Sequence, residues 1–260
     1  MPNKFEETFT NIADAIREKS GTTDKIKPED MASKISAISG GGLKTYFDLM
    51  SNSTHSGWLQ DGKFTYEELS KAIKYNDTEN LKDMQYMFDR CYNIRTIPLI
   101  NTSNCTNMTA MFSGDTMLES IPLLDTSKVT SIQLMFYGCS KLISIPLLDT
   151  SMVVQMWGIF QNCSSIKIIP ALNCSKVTAS NNLSNIFNGC SSLEEIHMTG
   201  MKVSFDISSS TKFTESALVE ILNNLATVST TQTLTMGPAN LAKLTDEEKK
   251  IATDKGWSLA

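Results

Sequence analysis

Apolar residues in this chain come in blocks that repeat. A Met-Phe or Ile-Phe pair stands at Met87-Phe88, Met111-Phe112, Met135-Phe136, Ile159-Phe160 and Ile186-Phe187. The phenylalanines are 24, 24, 24 and 27 residues apart. Behind each pair come Cys (Asp115 once), an aliphatic residue, and then Ile-Pro (Ile196-His197 once). The third block runs Leu142-Ile143-Ser144-Ile145-Pro146-Leu147-Leu148-Asp149-Thr150. Its spacing fits L-x-x-L-x-L-x-x-N/C, with Thr in the last slot. Leu118, Ile121, Leu123 and Thr126 fill those slots one period earlier, and Ile94, Ile97, Leu99 and Thr102 one period before that. Ile166, Ile169, Ala171 and Cys174 come next, and a fifth set, Leu193, Ile196 and Met198, leaves the pattern at Met201.

A fixed period of about 20–29 residues marks a leucine-rich-repeat solenoid. The pattern therefore predicts an α/β fold with parallel strands centred on Ile97, Ile121, Ile145 and Ile169. It also predicts one helix in each repeat, near 105–112, 129–136 and 153–160. Val129, Ile132, Met135 and Phe136 would form one buried helical stripe, and Asp125-Thr126-Ser127 would cap it. Alternation along the Ile-x-Leu strand sends Ile121 and Leu123 inward and the residues between them outward. A single unit cannot bury its own apolar face. Stacked units can, at about 1.5–3 kcal/mol for each large side chain buried, against roughly 1–2 kcal/mol per residue for ordering the backbone.

Outside the repeats the pattern changes. Over 1–38, Phe5, Phe9, Ile12 and Ile16 mark one helical face, and Met31, Ile35 and Ile38 mark another after Pro28. This helical hairpin is too small to be stable alone, so it docks on itself, on the solenoid or on another protein. Residues 39–42, Ser39-Gly40-Gly41-Gly42, read as a linker. The transition over 43–76 reads as a degenerate capping repeat from Phe64, the rival being a helix opened by a capping box at Thr65-Tyr66-Glu67-Glu68. The solenoid proper occupies 77–200. Over 201–260 a strand–helix rhythm continues as an α/β cap: Val203–Ile207, a helix through Leu218, Ile221, Leu222 and Leu225, a strand at Thr233–Met236, a capping box at Thr245, and Trp257-Ser258-Leu259. Terminal units of a stack must close its open end.

Composition narrows the chemistry. The chain has 260 residues, 41% of them hydrophobic, and a net charge of −5 with no basic run, which speaks against nucleic acid as a partner. No stretch reaches the roughly 18 apolar residues of a membrane span, and Met1-Pro2-Asn3-Lys4-Phe5 shows no secretory signal. Cys91, Cys139, Cys163 and Cys190 share one repeat slot, while Cys105 and Cys174 replace Val and Thr in theirs. They read as small buried hydrophobes, reduced and without metal, since no C-x-x-C pair exists. His55 and His197 have no ligand-spaced partners, Glu194-Glu195 and Glu247-Glu248 diverge as neighbours do, and the glycines of the linker lack a following Lys-Ser/Thr. No catalytic constellation and no cofactor site emerge, and a non-enzymatic protein is expected.

What remains is a surface. The strand register predicts outward ladders of Thr96, Pro98 and Ile100; Ser120, Pro122 and Leu124; Ser144, Pro146 and Leu148; Ile168, Pro170 and Leu172; and Glu195 and His197. An aliphatic ladder open to water calls for a partner, unless a terminal domain or neighbouring subunit covers it.

The run Thr126-Ser127-Lys128-Val129-Thr130-Ser131-Ile132-Gln133-Leu134-Met135-Phe136-Tyr137-Gly138-Cys139-Ser140-Lys141-Leu142 resembles the BspA-like leucine-rich repeats, over residues 77–200. That family includes bacterial surface proteins and proteins of tailed phages and phage-tail-like particles. The opening Asn11-Ile12-Ala13-Asp14-Ala15-Ile16 with Ile26-Lys27-Pro28-Glu29-Asp30-Met31, and the closing stretch from Leu241 to Trp257, are similar to ends of tail and baseplate proteins of phages of Gram-positive hosts. The resemblance implies a virion protein that docks on other tail or baseplate proteins through residues 1–38. The solenoid would then offer a surface to a host protein or glycan, in oligomeric form within the particle. The alternative is a bacterial cell-surface adhesin or secreted repeat protein.

Overall fold

A computed structural model describes Tyr66, Leu69, Ser70, Ile73, residues 78–179 and residues 182–260. The hairpin over 1–38 with its docking residues, the linker and most of the 43–76 transition lie outside these. Tyr66, Leu69 and Ser70 are helical, and the Ile73 N–H donates to the Leu69 carbonyl at 2.7 Å. The rest of the 43–76 transition, on which its two readings turn, lies outside the described residues.

From residue 78 the units stack in parallel, one period apart. Asp83 pairs with Asn107, Asn107 with Ser131, and Ser131 with Gln155. Each rung supplies one phenylalanine to a continuous column through the core. The rings of Phe88, Phe112, Phe136, Phe160 and Phe187 stack nearly parallel, with centroids 5.4, 5.7, 5.9 and 6.1 Å apart. All five are almost fully buried. The three extra residues of the fifth unit fall between Val177 and Leu183, so Phe187 and the residues after it regain register.

The segments expected as helices are not helical. Residues 105–112, 129–136 and 153–160 form a bridge followed by consecutive turns. Their hydrogen bonds show why. Alternate N–H groups leave the rung: Ile132, Leu134, Phe136 and Gly138 donate to the carbonyls of Gln155, Trp157, Ile159 and Gln161 in the next unit at 2.8–3.0 Å. Two N–H groups between them close turns: Met135 donates to the Ile132 carbonyl at 3.2 Å and Tyr137 to that of Leu134 at 3.0 Å. Every one of these donors is satisfied without an α-helix. Left-handed residues recur in phase at Tyr86, Ala110, Leu134 and Gly158, and again four residues on at Arg90, Gly114, Gly138 and Asn162. A positive φ every fourth residue is incompatible with a right-handed helix.

The strand side also differs from expectation. Among the described residues of the repeats, regular pairing is confined to β1 (Ile168–Ile169) and β2 (Glu195–Ile196), which run parallel with Ile169 opposite Ile196. Earlier units carry proline after the central isoleucine, and proline has no N–H to give the ladder. His197 replaces that proline in the fifth unit, and its N–H donates to the Ile169 carbonyl at 3.0 Å.

A second sheet closes the C-terminal end. β3 (Phe205–Asp206), β4 (Gln232–Thr235) and β5 (Trp257–Leu259) lie in that order, all parallel. Between them come α1 (Glu215–Asn224), capped by the Thr214 side chain on the Ala217 N–H, the short α2 (Pro238–Leu241) and α3 (Asp246–Thr253). Thr245 and Glu248 form the capping box of α3 in both directions. Phe205 meets Trp257 edge-on at 5.9 Å, and the Trp257 Nε1–H donates to the Ala226 carbonyl at 2.9 Å.

Candidate interaction surface

The stacking sets one residue from each unit beside its counterparts in the next, so the open side of the repeats is a set of rows. The first row reads Arg95, Glu119, Ile143, Lys167 and Glu194, the second Thr96, Ser120, Ser144, Ile168 and Glu195. After the buried isoleucines come Pro98, Pro122, Pro146, Pro170 and His197, and then Leu99, Leu123, Leu147 and Ala171.

Of the residues placed on this face by strand alternation, the structure keeps one part and reverses another. Ser120, Ser144, Ile168 and Glu195 are exposed, Thr96, Pro122, Pro146, Pro170 and His197 half-buried, and Pro98 buried. Ile100, Leu124, Leu148 and Leu172 are buried in the core and not on the surface. The outward positions belong to their neighbours: Leu99, Leu123 and Leu147 are 54%, 64% and 59% exposed. Proline turns the chain at this corner, so inward positions fall at i and i+3 (Ile145 and Leu148) and the period of two ends there. Ile143 and Ile168, at 53% and 40% exposure, extend the apolar area.

Charges on the first row are paired between rungs. The Arg95 guanidinium donates to the Glu119 carboxylate, and Lys167 Nζ stands 3.5 Å from Glu194 Oε1. At the far corner Asn101, Asp125, Asp149 and Asn173 each accept the N–H of the serine two residues on, at 3.1, 3.0, 2.9 and 2.9 Å. The hydrogen bonds from Ser127 and Ser151 hold the carboxyls of Asp125 and Asp149 below the ordinary range. The oxygens read as helix caps therefore build side-chain turns instead.

His197 joins the repeats to the C-terminal region. Its Nδ1 lies 2.6 Å from Glu220 Oε1 on α1, and its Nε2 3.0 Å from Glu195 Oε2. The Glu220 hydrogen bond foremost, with Glu195 beside it, raises the imidazole pKa above its usual value.

The cysteine slot forms a buried column. The thiols of Cys139, Cys163 and Cys190 donate to the carbonyls of Phe112, Phe136 and Phe160 at 3.1, 2.9 and 3.0 Å. Burial pushes the pKa of Cys139 and Cys163 well up and that of Cys190 to about 12. Such thiols are poor nucleophiles and poor ligands. In the same slot Asp115 is fully buried, and its Oδ1 accepts the Cys91 N–H at 2.6 Å. Burial drives its pKa up to about 9, and its Oδ2 has no hydrogen-bond partner. Among the described residues no group of three or more His, Cys, Asp or Glu side chains is placed to hold a metal ion.

A family model described as "Mycoplasma protein of unknown function, DUF285" matches residues 61–168 and again 115–224. Together the matches span more than half of the chain. Comparison with curated proteins gives no match.

Proposed function

The chain belongs to the DUF285 family, and we propose that it is a non-enzymatic binding protein: a leucine-rich-repeat solenoid whose open face is its working surface. The row of exposed leucines, Leu99, Leu123 and Leu147, carries this reading. Three large aliphatic side chains in line, flanked by Ile143 and Ile168, form a contiguous apolar area of the kind that marks interaction sites. The finer proposal is a phage tail or baseplate component. Residues 1–38 would attach it to other particle proteins, and the repeats would present the face to a host-surface protein or glycan. The resemblance of both chain ends to tail proteins supports that part.

Two variants test the proposal. Removing residues 1–42 should leave a folded protein that no longer joins purified particles. Leu123→Glu with Leu147→Glu should leave folding and incorporation intact and weaken adsorption of the particles to host cells. Undiminished incorporation of the truncated protein would refute the docking role, and undiminished adsorption of the double variant would refute the binding role of the face.

A further inference from the structure

The first row of the open face reads +, −, apolar, +, − from Arg95 through Glu119, Ile143 and Lys167 to Glu194. Reversed, it reads −, +, apolar, −, +, so the row is complementary to itself when turned end for end. All four charged side chains are substantially exposed. The parallel pairing of Ile168 with Glu195 keeps the register of this face through the fifth unit, despite the three extra residues on the other side of the rung.

We propose that the open face binds a second copy of the same chain, with the two stacks antiparallel about a two-fold axis through the middle rung. The inference rests on the reading of this face as a binding surface and puts a second copy in the place that the finer proposal gives to a host-surface ligand. Rotation about an axis lying in the interface and perpendicular to the stack sets each row against the same row, in reverse order. Arg95 then faces Glu194 of the second copy, and Glu119 faces its Lys167. Ile143 meets Ile143 on the axis, and Leu147 meets Leu147. An isologous contact requires this kind of self-complementarity. Along the first row the middle is apolar and both ends are charged, so its centre is dry and its ends polar, as in stable interfaces. A two-fold axis parallel to the stack is disfavoured, because it would set the charged row against the leucine row and strip water from charges that meet no opposite charge in the second copy.

The test is sedimentation velocity on the full chain and on charge-reversed variants. Wild type should sediment as a dimer. Glu119→Lys puts lysine against Lys167 of the second copy, and Lys167→Glu puts glutamate against Glu119. Each variant alone should dimerise on the order of tenfold more weakly or worse, as like charges at an interface require. An equimolar mixture of the two should recover the dimer. In the mixed pair the lysine introduced in one copy meets the glutamate introduced in the other, and the second contact keeps its native Glu119 and Lys167. Ile143→Cys should form an intermolecular disulfide on oxidation, while Ser120→Cys, off the axis, should not. A monomeric wild type, or single variants that dimerise as well as wild type, would overturn the inference. Recovery absent from the mixture would overturn it equally. A monomer whose Leu123→Glu, Leu147→Glu variant still loses host adsorption would remove the second copy and leave the binding face standing.

Discussion

Asp115 is the residue at which the repeat departs from its own chemistry. Its Oδ1 takes a backbone N–H from the rung before it, but a carboxylate in that slot lacks the proton that cysteine thiols give to the phenylalanine carbonyls of neighbouring units. The neutral acid regains it, which fits the rise from the ordinary 3.8 to about 9 caused by burial. An acid with a raised folded pKa contributes its stability fully below its unfolded pKa and loses it as pH climbs through the folded one. Wild-type stability should thus fall between about pH 4 and about pH 9, by up to about 1.4 kcal/mol per pH unit from this group. Asp115→Cys should flatten that slope and be the more stable protein at about pH 8, as measured by urea unfolding at several pH values. An unchanged slope would show that Asp115 is ionised in the fold. The mismatch itself is plain in the sequence; its burial is not.

At the scale of elements, two contacts carry the joins. The phenylalanine column holds rung to rung. Phe136 stacks between Phe112 and Phe160, so Phe136→Ala removes a ring with partners on both faces. A loss of about 3–5 kcal/mol is expected from the cavity, read as a lower urea midpoint, and a loss under about 1 kcal/mol would mean that the column closes over the gap. The second contact ties β2 to α1 through His197 between Glu195 and Glu220. Its raised pKa means that this tie is complete below the ordinary histidine pKa and is lost as pH rises through the folded value. Partial exposure keeps its weight small. NMR titration should find the His197 ring above the ordinary histidine value, and Glu220→Gln should bring it back down. An imidazole already at that value in the wild type would remove the tie.

For the molecule as a whole, the stack is one continuous core from Leu69 to Trp257. All six cysteines lie within it. Burial also raises Cys105 and Cys174 to about 12. A thiol reagent should therefore react slowly with the native protein and find all six thiols once urea unfolds it. Fewer than six in the unfolded protein would reveal a disulfide, and fast reaction of some before unfolding would show that part of the stack opens separately.

What depends on recurrence is legible in the order of the residues. The period placed Phe88, Phe112, Phe136, Phe160 and Phe187 in one column, the cysteines in another, and Asp115 among them. It also marked the capping box at Thr245, because that motif is local. What depends on neighbours across the stack is settled only by packing. Apolar residues at i, i+3 and i+7 suit a helix, but they equally suit turns whose alternate N–H groups have a carbonyl waiting in the next rung. The recurring glycines at Gly114 and Gly138, both with positive φ, were the available sign of turns. Which leucine faces water was undecidable from alternation, since Leu147 and Leu148 are adjacent and equally apolar. The corner after Pro146 turns one into the core and leaves the other in solvent. Glu220 reaches His197 only because α1 packs beside β2, a juxtaposition of two elements that no local spacing encodes.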